Sequence, residues 1–123
     1  MSDSIIATQM SVDVKKYRIR IFKSMLHEMG DPMNVQLLVN PNDMLVAIRS
    51  VEKKKTGDLT HSIGKQLLTP GASCDLYSRA FVTKLCEVSQ NMQEGHSYRL
   101  SGKIIPAQKI SVFFLNTIEE IES

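Results

Sequence analysis

The chain has no tryptophan, only two cysteines, and no uninterrupted apolar run near the ~18 residues a membrane-spanning helix requires. A spanning helix is therefore not expected. Met1 to Met10 offers neither a basic start nor a continuous apolar stretch, so no signal peptide is expected and the anticipated compartment is cytoplasmic. Cys74 and Cys86 lie twelve residues apart, outside any CxxC pair, and read as reduced thiols. With His27, His61 and His96 scattered, there is no paired spacing for zinc, and neither metal nor cofactor is expected. An excess of charge of one sign is also missing. Fifteen Lys and Arg stand against 13 Asp and Glu, giving +2 and a sequence pI of about 8.6, so global charge names no partner. Patterns of the GxSxG, HExxH and GxGxxG type are absent, and Gly64-Lys65-Gln66 lacks the glycine spacing and hydroxyl of a phosphate loop. His61 and Ser62, as neighbours on an extended chain, point to opposite faces. The chain is not expected to be an enzyme.

What is present is the material of one globular domain spanning 1–123, with 42% apolar and 23% charged positions. Tyr17 to Ile21 alternates strictly and predicts a half-buried strand with Arg18 and Arg20 on its wet face. Ile5 to Val14 reads as an edge strand or a loosely attached arm. Phe22, Met25, Leu26 and Met29 follow helical spacing, and Gly30-Asp31-Pro32 stops that helix. Val35 to Val39 and Met44 to Val51 form a hairpin about Asn40-Pro41-Asn42-Asp43. Both of its faces carry large apolar residues, so both should be covered.

Further on, His61 to Leu68 reads as a short strand or a single helical turn, and Cys74 to Tyr77 as a strand. Ser78 is placed as N-cap of a helix reaching Val88, with Phe81, Val82, Leu85 and Cys86 on its apolar face. Tyr98 to Ile105 and Lys109 to Leu115 make a second extended pair around Pro106-Ala107-Gln108, and the tail from Thr117 reads as a final helical turn.

Strand, helix, strand, proline-bearing turn and strand thus recur in the same order. The expected fold is α+β: two βαββ units, at 15–55 and 74–116, with antiparallel hairpins and two short helices. An offset of 65 sets Pro41 on Pro106 and Ala47 on Val112, consistent with internal duplication, while an irregular α+β meander is the other reading. The doubly apolar hairpins would join two chains into a homo-oligomer, expected to be a dimer.

Charge is uneven along the chain. Between Lys15 and Lys55 nine basic residues face four acidic ones. Arg18, Arg20, Lys23, Arg49, Lys53, Lys54 and Lys55 are the candidate nucleic-acid contacts, because guanidinium forks and flexible ammonium groups hold phosphates. The competing reading makes them an ordinary solvated surface. Few aromatic residues remain to stack on bases: Tyr17, Phe22, Phe81, Phe113 and Phe114 fall on predicted strand or helix faces. The function expected from the residues is a nonenzymatic nucleic-acid-binding or regulatory protein acting on duplex DNA. The alternative is a protein-interaction module, such as an inhibitor or assembly subunit, working through the apolar hairpins.

The segment Arg20 to Val51, with a strand entering a short helix that ends Met29-Gly30-Asp31 and a hairpin closing in Val46-Ala47-Ile48-Arg49, resembles the AbrB-like swapped-hairpin DNA-binding modules. Phe22-Lys23 stands where that family carries a proline before the helix. The resemblance implies an interlocked small barrel with Arg18, Arg20, Lys23 and Arg49 near a basic, DNA-contacting face, and a role in transcription regulation. In overall character the chain is similar to small proteins of Gram-positive prophages and mobile elements.

Overall fold

In the computed structural model, which describes residues 5–52 and 60–121, the chain alternates strands with three short helices. In order they are β1 (Ile6–Asp13), β2 (Arg18–Phe22), α1 (Lys23–Glu28), β3 (Asn34–Asn40), β4 (Leu45–Val51), β5 (Thr60–Ser62), α2 (Gly64–Leu67), β6 (Ser73–Tyr77), α3 (Arg79–Val88), β7 (Ser97–Ile105), β8 (Ile110–Phe114) and β9 (Glu119–Ile121). All the strands belong to one antiparallel sheet in the order β5-β3-β4-β8-β7-β1-β2-β6, with β9 added beside β7.

This corrects the expected fold. The molecule is mostly antiparallel sheet, coiled into a nearly closed, barrel-like wall with few helices, and not an α+β pair of βαββ units. Strand exchange is the physical reason. β1 pairs with β7 across eight residues, β2 pairs with β6, and β4 pairs with β8, so the strands of each half are completed by the other. A hairpin with open edges gains more by joining a neighbouring strand than by standing in a separate unit.

Period-two alternation sends one face of most strands inward. Met10 and Val12, Ile19 and Ile21, Val35 and Leu37, Val46 and Ile48, Cys74 and Leu76, and Leu100 and Phe113 are all buried. The helices supply the rest of the core: Met25, Leu26 and Met29 from the α1 segment, Phe81, Val82 and Leu85 from α3. Met29 lies under β8, where its Sδ accepts a hydrogen bond at 3.1 Å from the buried Ser111 hydroxyl. Phe22, predicted to share that stripe, is instead the last residue of β2 and is 44% exposed.

Several elements form as their local residues dictate. Ser78 caps α3, its Oγ accepting from the Phe81 amide at 3.1 Å. The hairpin of β3 and β4 turns on Asn40, whose Oδ1 accepts from the amides of Asn42 and Asp43, both at 3.1 Å. Two others change. Ile5 to Val14 carries a central strand, because β1 is paired on both sides, and the tail from Thr117 contributes β9 where a helical turn was anticipated. Gly102 marks a close approach between β7 and β8: a Cβ there would lie 2.1 Å from the Val112 carbonyl oxygen.

The terminal strands of the order, β5 and β6, are bridged by α2. Ile63 and Gly64 donate backbone hydrogen bonds to the Met33 carbonyl at 2.8 and 3.2 Å. On the other side the Gln66 amide takes the place of a neighbouring strand: Nε2 donates to the Asp75 carbonyl at 2.8 Å and Oε1 accepts from the Asp75 amide at 2.9 Å. None of the described helices is long and apolar enough to cross a membrane.

Candidate functional site

The outer face of the sheet divides by chemistry. Across β7, β1, β2 and β6 the outward residues align in rows fixed by the register. One row runs Glu119, Arg99, Ser11, Arg20, Asp75; the next runs Ile121, Ser97, Asp13, Arg18, Tyr77. Such cross-strand neighbours sit about 5 Å apart and interact side chain to side chain.

Each arginine in these rows has a carboxylate. Arg20 donates from Nε to Asp75 Oδ1 at 2.8 Å and from Nη2 to Oδ2 at 3.1 Å, a bidentate pair. This pairing raises the Arg20 pKa and holds the Asp75 carboxyl below its ordinary range. Arg18 reaches Asp13 at 3.4 Å, and Arg99 reaches Glu119 at 3.6 Å.

Of the residues predicted to contact nucleic acid, Arg18 and Arg20 do share the outer face of β2. Arg49 does not join them. It lies on β4 with Nε donating to Gln36 Oε1 at 2.6 Å, four strand spacings from β2 as counted along the sheet. Lys23 leaves the surface: it is 7% exposed, and its ammonium donates to the Thr69 carbonyl. Lys53, Lys54 and Lys55 lie outside the described residues. Arg99 and Lys16, which the charge count between Lys15 and Lys55 did not single out as contacts, join Arg18 and Arg20. The signal for Arg99 was the alternation Tyr98, Arg99, Leu100, the same inside-outside pattern as Ile19, Arg20, Ile21.

The other half of the outer face, on β3, β4 and β8, is apolar. Leu38, Ala47 and Val112 form one row, flanked by Leu45 with Phe114 and by Arg49 with Ile110. Leu38 is 37% exposed and the others remain partly open to solvent. The hairpin expected to be covered on both faces is thus fully packed on its inner face alone among the described residues. Lys103 of β7 lies 5.8 Å from the Phe114 ring centroid at the margin of this patch.

Neither thiol is poised to react. Burial pushes up the pKa of Cys74 on β6, partly offset by Lys23, and burial likewise raises that of Cys86 on α3. Comparison with protein-family models, curated proteins and solved structures found no match for this chain.

Proposed function

We propose that the protein is a nonenzymatic protein-interaction module that pairs with a second copy of itself through the outer face of β3, β4 and β8. The observation that carries this reading is the apolar row Leu38, Ala47, Val112 with Leu45, Ile110 and Phe114 around it. A sheet face of this composition lowers its free energy by stacking on another sheet about 10 Å away. Its charges favour a copy of the same chain as the occupant. Asp43 stands at one end of the hairpin and Arg49 toward the other, so a two-fold axis perpendicular to the strands sets each Asp43 against the partner's Arg49 end.

Sedimentation velocity over a micromolar concentration series tests this. The expected result is a monomer–dimer equilibrium, abolished by Val112→Arg with the circular dichroism spectrum unchanged. A wild-type monomer at every concentration, or a Val112→Arg variant that still dimerises, overturns it.

Duplex DNA binding stands second. Arg18 and Arg20 on one strand face favour it, while their carboxylate partners, the inward turn of Lys23 and the distance to Arg49 weigh against it. On this reading a mobility shift at low salt falls steeply with added salt, and the double variant Arg18→Ala, Arg20→Ala flattens that slope. No shift at low salt sets it aside.

A further inference from the structure

We propose that the hollow over Ser11, on the polar half of the outer sheet face, binds the phosphate of a small phosphomonoester whose organic part is apolar. This site is separate from the self-association face and does not depend on it. Two adjoining hollows, of about 140 and 290 Å³, open over β1. The first is lined by Gln9, Ser11, Arg20, Phe22, Arg99 and Ile121, with Met10 beneath; the second shares Ser11, Arg20 and Ile121 and adds Lys16, Arg18 and Asp13 among others.

The register places Ser11 between Arg99 on β7 and Arg20 on β2, so the two arginine stems straddle it at about 10 Å, two strand spacings. That span suits two guanidinium groups closing on one tetrahedral anion. Asp75 and Glu119 stand at the two ends of the row and hold the guanidiniums from outside. Asp75 engages Nε and Nη2 of Arg20 and leaves Nη1; Glu119 is met by Nη1 of Arg99 and leaves Nε and Nη2. Ion pairs at the ends therefore orient the forks and leave donors for a ligand above Ser11.

Four cationic side chains, Lys16, Arg18, Arg20 and Arg99, line the two hollows; set against Asp13 and the end carboxylates Asp75 and Glu119 they keep a surplus of one positive charge. Asp13 is itself engaged by Arg18 at 3.4 Å and by the Lys16 amide at 3.2 Å. A dianion gains more from such a cluster than a monoanion does, which favours a monoester over the internal diester phosphates of a nucleic acid. The Ser11 hydroxyl and Gln9 amide supply neutral hydrogen-bonding groups at the floor. Phe22, 44% exposed at the end of β2, and Ile121 of β9 form apolar walls for the organic part.

The test is an NMR titration of the full chain, following arginine Nε and Ser11 amide signals, with inorganic phosphate, phenyl phosphate and dimethyl phosphate at constant ionic strength. Saturable shifts at Ser11 and Arg99 are expected, with phenyl phosphate tightest and dimethyl phosphate weakest. Arg99→Gln should weaken phenyl phosphate by about tenfold, while Lys84→Gln, exposed on α3 and outside both surfaces, leaves binding unchanged. The proposal is overturned by the lack of saturable shifts, by dimethyl phosphate binding as well as phenyl phosphate, or by Arg99→Gln binding like wild type. Dimerisation is read separately by sedimentation, so failure of one proposal leaves the other standing.

Discussion

Arg20 and Asp75 meet across β2 and β6, fifty-five residues apart in sequence, with two hydrogen bonds between them. Because the Asp75 carboxyl titrates below its ordinary value in the folded chain, the pair stabilises the fold at pH above the unfolded value of ~3.9. That stabilisation is lost as pH falls through the lower, folded value. Arg20 is nearly half exposed, so solvent screening holds the contribution below about 1 kcal/mol. Urea unfolding of wild type and Asp75→Asn at a series of pH values checks the sign. A stability gap favouring wild type above the unfolded value should close as pH falls through the lowered folded value and the Asp75 carboxyl becomes neutral in both the folded and the unfolded chain. A gap independent of pH would assign the effect of the substitution to something other than charge.

Lys23 makes the complementary point about single residues. Its sequence neighbourhood, beside Arg18 and Arg20, placed it with the surface cations. Its partner is the Thr69 carbonyl, forty-six residues away, and an ammonium that finds such an acceptor can bury its stem. Nothing local signals that choice, whereas the alternation of Arg18 with Ile19 and Arg20 with Ile21 does signal which way those two arginines face.

Among the elements, those with a strong local pattern formed where the residues put them. The capped α3 and the Asn40 turn between β3 and β4 are decided by side chains bonding to amides two or three positions ahead. Elements with mixed patterns were decided by neighbours. β1 is central because β7 and β2 supply hydrogen bonds along both of its edges, and β9 exists because β7 offers Ser97 to Arg99 as a template. The ambiguous run from His61 resolves into both of its readings, β5 followed by α2.

The α2 bridge carries its own prediction. Gln66 satisfies both outward backbone groups of Asp75, so Gln66→Leu leaves an N–H and a C=O without these partners on the edge of β6. Stability should fall by about 1–3 kcal/mol, and the Asp75 amide should exchange with deuterium faster than the amides of β1. Equal exchange in variant and wild type would show that the glutamine does not hold this edge.

At the scale of the whole molecule, one continuous sheet buries its concave face against α1 and α3 and divides its convex face into an apolar half and a polar, arginine-bearing half. The proposed self-association surface occupies the apolar half and the proposed phosphate site the polar half. Ala47 and Val112 adjoin only because β4 pairs with β8, and Arg99 stands over Ser11 only because β7 pairs with β1. Neither neighbourhood is encoded within a short stretch of chain.

The amino-acid sequence by itself determined where the chain bends, which residues of most strands face inward, and how α3 begins, since these follow from periodicity and from hydrogen bonds a few residues long. Only the tertiary structure decided which strands lie side by side, which arginines share a row, and which apolar surface stays open. Those outcomes depend on edge-to-edge pairing between segments far apart in the chain, where many registers satisfy the same local pattern and the closure of the common core selects among them.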